Sequence, residues 1–216
     1  MLTREEMQRF LIQAREDGYY ELFLMDLSTG LRRGELLALQ WDDLNFETGE
    51  LRITKQVSRV RGTLTVSEPK TKAAIRTLIL PPAILDMLRA YKATFNSRWM
   101  FPSPKKEDSP LDPASVRKRL CKTLERAGCK KVRFHDLRHT FATTALEYGM
   151  DVKTLSTVIG HNSVATTLNI YAHITDDMRA TAAVNIDRGI AKQEQAEMPA
   201  KKATPEKSET DFVAIK

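Results

Sequence analysis

The segment FHDLRHTFAT, residues 134–143, concentrates chemically active side chains in a short space. If it is a helix, His135 and Arg138 lie at positions i and i+3 and share one face. Arginine offers a planar fork of donors to phosphate oxygens, and histidine can donate a hydrogen bond or carry a proton. Two such groups on one rigid helix could therefore grip a single phosphate, although an exposed arginine beside a half-buried histidine would have the same sequence.

A zinc site is the competing interpretation of this segment. His135 and His139 are spaced at i and i+4 with Asp136 beside the first, which imitates the H-E-x-x-H pattern of zinc hydrolases. The acid is one methylene shorter than glutamate, and Arg138 would crowd a divalent cation. No third ligand with a supporting pattern follows in the sequence, so we expect no metal and no other cofactor.

Two further segments carry candidate phosphate-binding groups. In TGLRRGELLAL, residues 29–39, Arg32 falls where a loop meets the start of a helix, a place that favours anions. Glu35 follows one turn later and is positioned to orient Arg32. In SEPKTKAAIRTLILP, Lys70 and Lys72 fall in a predicted turn between basic strands, where lysines reach DNA in some proteins and merely aid solubility in others.

The segment GHNSVATTLNIYAH, residues 160–173, contains His161 and, ten residues later, Tyr171. A tyrosine hydroxyl is a poor nucleophile at its free pKa of roughly 10. Nearby cations favour the phenolate and make attack on phosphorus feasible. Residues 151–171 also fit a helix, a glycine turn and a second helix, so a non-catalytic helix-turn-helix DNA-binding regulator is an alternative.

The positive charge of the chain, +6 overall, is concentrated in two regions. Residues 52–76 hold seven Lys and Arg against one acid, and residues 98–133 hold eleven against four, whereas residues 1–51 are acidic. If these basic stretches share one face of the protein, that face suits a polyanion such as double-stranded DNA. We predict DNA contacts from Lys55, Arg59, Arg61, Lys72, Arg76, Arg117, Arg119, Lys130 and Lys131.

Hydrophobic periodicity predicts an α+β chain that is mostly helical, with one small three-stranded antiparallel sheet. Strands are expected in residues 50–57, 62–68 and 75–81. The predicted helices cover, approximately, residues 3–17, 19–28, 32–41, 82–95, 112–128, 135–148, 151–160, 162–171 and 176–188. Thr3 with Glu6 forms a capping box, and Asp112 before Pro113 is a helix start.

Composition limits the class of protein. The 216 residues are 42% hydrophobic, which fits one globular core, and no run of 18 apolar residues predicts a membrane span. Two cysteines, Cys121 and Cys129, predict free thiols in a reducing cytoplasm rather than a disulfide framework. Residues 191–216 balance five lysines with five acids around a single aromatic residue, so we expect a disordered or partner-bound polar tail.

In their order along the chain, the TGLR, hairpin-lysine, HDLRH, GH and Y motifs resemble the catalytic domain of the tyrosine recombinases, the phage-integrase family. The resemblance covers about residues 19–188 and is nearest to the integrases of conjugative transposons and related mobile elements. It implies a tyrosine-recombinase fold over residues 1–190, without the family's N-terminal DNA-clamp domain. The implied catalytic residues are Arg32, Lys70, His135, Arg138, His161 and Tyr171, with Glu35 in support.

The resemblance also implies a mechanism in which Tyr171 attacks a DNA phosphodiester, forming a 3′-phosphotyrosyl link without ATP or metal. Arg32 and Arg138 would neutralise the transition state, and Lys70, with Lys72 as the alternative, would protonate the leaving oxygen. Implied with it are a bacterial, cytoplasmic, DNA-associated location, a tetramer on DNA, and the integration or excision of a mobile element. A type IB topoisomerase shares this chemistry and is a further alternative.

Overall fold

The computed structural model describes residues 1–69, 71 and 74–160 and confirms an α+β chain in which helices dominate. In this range a 3₁₀ turn, Trp41–Asp43, follows the third helix. The helices are α1 (Arg4–Glu16), α2 (Tyr20–Thr29), α3 (Arg33–Leu37), α4 (Pro82–Lys92), α5 (Pro113–Arg126), α6 (Phe134–Glu147) and α7 (Val152–Ile159). The strands are β1 (Glu50–Ile53), β2 (Gln56–Val60), β3 (Thr63–Ser67) and β4 (Arg76–Ile79).

Helix starts follow the local signals in the sequence. At α1, the Thr3 hydroxyl accepts from the Glu6 amide at 3.2 Å, and the Glu6 carboxylate accepts from the Thr3 amide at 2.8 Å. The Asp112 carboxylate accepts from the Ala114 amide at 2.7 Å at the start of α5. These capping bonds satisfy amide groups that have no partner inside the helix, which is why short-range patterns located these helices correctly.

Helix α3 is shorter than predicted and ends at Leu37 rather than near Trp41. Past its end, Gln40 forms an antiparallel bridge with Trp99, so the chain is drawn into an extended conformation. The helix itself lies very close to β2. A Cβ atom at Gly34 would come within 2.7 Å of the Val57 carbonyl oxygen, so this approach requires glycine.

The prediction of one three-stranded sheet is wrong in detail, since the four strands within the described residues form two separate antiparallel pairs. Strand β1 pairs with β4, aligning Leu51 with Leu78, and β2 pairs with β3, aligning Val57 with Val66. The segment predicted as one strand over residues 50–57 is interrupted at residues 54–55. There Lys55 turns towards the 3₁₀ segment to form an ion pair, which separates β1 from β2.

Among the described residues the core has two parts. The larger joins buried side chains of helices α1 to α6 with others from β1, β2 and β4. The smaller lies between α6 and α7 and fixes the direction in which α7 ends. Its buried members are Ala142, Ala145, Leu146, Leu155 and Ile159.

Several predictions lie outside the described residues: Lys70, Lys72, His161, Tyr171, the helices at 162–171 and 176–188, and the tail at 191–216. Across the described part of the chain, no helix is both long and apolar enough to cross a membrane.

Candidate functional site

Arg138 lies one turn into α6 and is almost fully buried, with 3% of its surface exposed. Its Nη1 donates to the Gly30 carbonyl oxygen at 2.7 Å, and its Nη2 donates to the Ile159 carbonyl oxygen at 2.5 Å. These acceptors lie at the carboxyl ends of α2 and α7, where unpaired carbonyl groups carry partial negative charge. Two helix ends therefore hold the same guanidinium group.

Burial lowers the pKa of Arg138 to about 10, and the nearby Arg32 guanidinium adds to this effect. The charges of Glu35 and Asp26 raise the pKa of Arg138 and so oppose this shift. At neutral pH the side chain still carries its charge, so the site keeps a desolvated cation. Such a cation interacts strongly with an incoming anion because little water screens it.

Arg32 precedes α3 and has a partly exposed side chain, at 40%. Its Nη1 donates to the Glu35 carboxylate at 2.7 Å, and its Nη2 donates to the Gly160 carbonyl oxygen at 2.7 Å. Since Arg138 bonds the residue before Gly160, the structure brings Arg32 and Arg138 together. The sequence predicted both as phosphate-binding residues although they are 106 positions apart.

Glu35 is buried, with its side chain 2% exposed, and accepts from two arginines. Burial alone would raise the pKa of its carboxyl, but the hydrogen bond and charge of Arg76, followed by those of Arg32, hold that pKa below its usual value. The carboxylate also accepts from the Arg32 backbone amide at 3.0 Å. Glu35 is thus ionised and orients Arg32 at the start of α3.

Arg76, predicted as a DNA contact, has a side chain that is only 5% exposed. Its guanidinium donates to the Val158 carbonyl oxygen at 2.6 Å, the Ala74 carbonyl oxygen at 2.9 Å and the Glu35 carboxylate at 3.0 Å. We therefore revise the expectation for this residue: its donors face the protein interior. Arg32, Arg76 and Arg138 together are called the arginine cluster below.

The end of α7 connects all three members of the arginine cluster. The successive carbonyl groups of Val158, Ile159 and Gly160 accept from Arg76, Arg138 and Arg32, respectively. Gly160 closes the helix in the left-handed conformation, with φ of 66°. The next residue in the sequence is His161, so the chain leaves the cluster directly at a residue predicted to be catalytic.

His135 lies in the first turn of α6, on the exposed side. Its ring packs edge-on against that of His139, with centroids 4.6 Å apart. Partial burial, then the neighbouring His139 and Arg138, lower the pKa of His135, which favours a neutral ring at neutral pH. Asp136 is paired with Arg133 at 3.0 Å. Among the residues that the structure describes, no group of three or more His, Cys, Asp or Glu is arranged to hold a metal ion.

A cavity of about 1030 Å³ opens beside these groups, between the start of α3, helix α5 and the start of α6. Its apolar lining includes Leu31, Leu120, Val132 and Phe134. Its remaining lining is strongly basic. The cationic residues that line it are Arg32, Arg33, Arg117, Lys118, Lys122, Lys131, Arg133 and Arg138, and His135 lies among them.

Like Arg76, the predicted DNA contacts Lys55 and Lys130 are each paired with an acid. Lys55 donates to both oxygens of Asp43, at 2.9 and 3.0 Å, and to the Gln40 side chain at 2.9 Å. Its charge is neutralised at the junction of β1 and β2, so we revise this residue to a structural role. Lys130 is paired with Glu6 at 3.1 Å but is half exposed and stays on the surface.

The remaining predicted contacts lie on the surface beyond the cavity. Arg59 of β2 pairs with Asp112, which joins the β2–β3 hairpin to the start of α5. Arg61 stands exposed at the tip of that hairpin, with φ of 48°. Arg119 lies over the Tyr19 ring, 5.3 Å from its centroid, and is exposed on α5. DNA contacts from these three residues stay predictions.

Sequence reasoning missed Asp26, which is fully buried in α2 at 0% exposure. Neither carboxylate oxygen has a hydrogen-bond partner among the described residues. Burial raises the pKa of Asp26 well above its usual value, although the Arg138 charge acts against the shift. A single charged residue within the apolar stretch LFLMDL was the available signal. Sequence reasoning also missed four cavity residues. The charge of residues 98–133 indicated Lys118, Lys122 and Arg133 only as a group, and nothing in the sequence singled out Arg33.

Comparison with known proteins gives relatives along most of the chain. A tyrosine recombinase XerC-like protein of Caldanaerobacter subterraneus subsp. tengcongensis is 33% identical over 185 residues, covering 74% of this chain and 47% of that protein. The transposase of transposon Tn916 from Enterococcus faecalis is 30% identical over 199 residues, covering 82% and 48%. The chain therefore spans about half the length of these relatives.

Solved structures agree with the sequence relatives. The Tn1549 transposon integrase in complex with circular intermediate DNA matches with a TM-score of 0.72 at 25% identity, covering 86% of this chain and 66% of that one. The sequence profile of the phage integrase family matches residues 1–178. With the arginine cluster, the basic cavity and these relatives in agreement, the chain belongs to the phage integrase family, the tyrosine recombinases.

Proposed function

We propose that this chain is the catalytic part of a site-specific DNA recombinase, which cuts and rejoins DNA strands through a 3′-phosphotyrosyl intermediate. One observation carries the proposal: Arg32, Arg138 and His135 line a single basic cavity beside the chain segment that leads into His161. Residues 1–190 are the proposed catalytic domain, and residues 191–216 are a polar tail.

The cavity suits a phosphodiester because the charge is already in place. Within the described residues, Arg32 and Arg138 each use two of their five N–H donors on protein acceptors, so donors remain for phosphate oxygens. A pentavalent transition state gathers negative charge on its non-bridging oxygens. Preorganised donors stabilise that charge, and removing one of them typically slows such reactions by about 10²–10³-fold.

The remaining roles rest on the family pattern in the sequence. Tyr171 attacks phosphorus, so its oxygen forms the new bond while the bond to the 5′ oxygen breaks. Lys70, or Lys72 in its place, donates a proton to that oxygen, while His135 and His161 supply hydrogen bonds or carry protons. A 5′-hydroxyl from a partner duplex reverses the step. The energy of the broken bond is kept in the phosphotyrosine, so the step needs neither ATP nor metal.

The partners follow from the same proposal. Double-stranded DNA is the substrate, since the cavity is basic and the related Tn1549 integrase is described in complex with DNA. Exchange between two duplexes requires several active sites, so we propose self-association into a tetramer on DNA. Kinship with the Tn916 transposase and the Tn1549 transposon integrase favours integration or excision of a mobile element in a bacterial cell.

The test is covalent capture. Purified protein is mixed with a pool of nicked duplexes whose central sequence is randomised, in buffer containing EDTA, and denatured. We expect a denaturation-resistant protein–DNA adduct from the wild-type chain, and none from Tyr171→Phe, because phenylalanine has no oxygen to attack phosphorus. The matched control is Tyr148→Phe, which removes the hydroxyl of a tyrosine that is 73% exposed on the protein surface and should form the adduct normally.

Three results would contradict the proposal. No adduct from the wild type, with DNA still bound, would favour a helix-turn-helix regulator. An adduct from Tyr171→Phe would assign the nucleophile elsewhere. Capture of every sequence in the pool alike, together with relaxation of supercoils, would favour a topoisomerase.

A further inference from the structure

Arg76 is the one member of the arginine cluster for which the proposed mechanism has no role. Its side chain is 5% exposed and, unlike those of Arg32 and Arg138, does not line the basic cavity proposed to hold the phosphate. Its guanidinium instead bonds two distant segments and its own: Nε donates to Val158 at 2.6 Å, Nη2 to Glu35 at 3.0 Å, and Nη1 to Ala74, two residues earlier in the chain, at 2.9 Å. Because the guanidinium group is planar and all three of its nitrogen atoms donate a hydrogen bond, it fixes the relative orientation of those segments.

Each of the three segments carries a group that the proposed mechanism uses. Glu35 holds Arg32 through its other carboxylate oxygen, at 2.7 Å. Val158 precedes His161 by three residues at the end of α7, and Ala74 follows Lys70 by four. One buried cation is thus bonded to all three stretches of chain from which the site takes its arginine, histidine and lysine.

We propose that Arg76 is a positioning residue, which aligns the segments carrying Arg32, His161 and the hairpin lysine without touching DNA. This inference rests on the proposed function and deepens it. Positioning of this kind matters because a displacement of about 1 Å at reacting groups can slow an enzyme roughly 10²-fold. Removing the guanidinium also leaves the Glu35 carboxylate with Arg32 as its only charged partner among the described residues.

The experiment separates chemistry from binding. A nicked duplex captured by the wild type is used to measure two quantities for each variant: the affinity for DNA, and the single-turnover rate of adduct formation at saturating DNA. Arg76→Met removes every donor, whereas Arg76→Lys keeps the charge but not the fork. We expect about a 10²-fold slower rate for Arg76→Met, an intermediate rate for Arg76→Lys, and wild-type affinity for both.

A matched variant guards against a general loss of stability. Leu88→Ala truncates a fully buried residue of α4, a helix that contributes nothing to the lining of the cavity. Each protein is assayed well below its own melting temperature, and Arg76→Lys serves as the informative variant if Arg76→Met does not fold. Leu88→Ala should melt earlier than the wild type yet form adduct at the wild-type rate.

The outcomes are distinct for the two proposals. A wild type that forms no adduct refutes the proposed function itself. If the wild type reacts, the positioning role is refuted by wild-type rates in both Arg76 variants, by weaker DNA binding with an unchanged saturating rate, or by an equal loss of rate in Leu88→Ala. Weaker DNA binding with an unchanged saturating rate would mean that Arg76 contacts DNA, as the sequence predicted.

Discussion

Glu35→Gln tests the electrostatic arrangement of the site most directly. The substitution keeps the size of the side chain but removes the charge that lies between Arg32 and Arg76. The carboxylate accepts from the Arg32 side chain, the Arg32 backbone amide and the Arg76 side chain. A glutamine amide offers one oxygen and one NH₂ group, so at least one of these donors must face another donor.

The expected cost follows from burial. Breaking a buried ion pair by removing one partner costs ~3–5 kcal/mol, because the remaining charge stays desolvated. Since glutamine keeps one acceptor, we expect a loss of about 3 kcal/mol in the free energy of unfolding, the lower end of that range. With a urea m-value of ~2–3 kcal/mol/M, the unfolding midpoint should fall by about 1–1.5 M.

The loss should also depend on pH. Because the pKa of Glu35 is lower in the folded chain than in the unfolded one, its contribution is complete above the unfolded pKa of roughly 4.3 and disappears as pH falls through the folded pKa. Urea unfolding of wild type and Glu35→Gln is therefore compared at pH 7 and near pH 3, with Glu47→Gln as the exposed control. The gap between wild type and Glu35→Gln should be large at pH 7 and narrow in acid.

Two results would refute this reasoning. A midpoint for Glu35→Gln within error of Glu47→Gln at pH 7 would mean that the buried carboxylate does not stabilise the cluster. A full-sized gap that persists unchanged in acid would mean that the lost stability comes from side-chain packing and not from charge.

Two further predictions concern residues around Arg138. The pKa of Asp26 is raised in the folded chain, so its contribution to folding stability is complete below the unfolded pKa of roughly 3.9 and is lost as pH rises through the folded pKa. The melting temperature of Asp26→Asn should therefore match that of the wild type near pH 4 and exceed it increasingly towards pH 8. A difference in melting temperature that does not change with pH would contradict this. Gly30→Ala places a Cβ 2.3 Å from Phe141 at a positive φ and should lower the free energy of unfolding, measured in urea, by about 2–4 kcal/mol. Gly18→Ala, also at a positive φ but in open space, should lower it by about 1 kcal/mol. Equal losses in the two variants would show that Phe141 moves aside freely.

Local signals in the sequence predicted the helices well, because a cap involves residues only three or four apart. Thr3 with Glu6, and Asp112 with Pro113, marked the starts of α1 and α5 correctly. Pairing of β1 with β4 joins residues more than 20 positions apart, and no short pattern in the sequence encodes it. The single predicted sheet was wrong for that reason.

In the candidate site, too, the sequence revealed some of the residues but not their long-range partners. Arg32, Glu35 and Arg138 were found from residue type and order along the chain, and the structure brings them together. Arg76 and Lys55 were assigned to DNA because they lie in a basic stretch. Composition cannot reveal that a basic residue has a buried acid as its partner when that acid, as with Glu35 and Arg76, is 41 residues away.

The end of α7 has a consequence for sequence divergence. The three arginines bond main-chain carbonyl groups, so the identities of Val158 and Ile159 do not enter the recognition. The length of the helix does affect this recognition, since one inserted residue would turn its final carbonyl groups by about 100° and move them about 1.5 Å along the helix axis. Descendants of this chain can therefore exchange residues on the exposed face of α7 freely, while insertions and deletions between Asp151 and Gly160 would separate all three guanidinium groups from their acceptors at once.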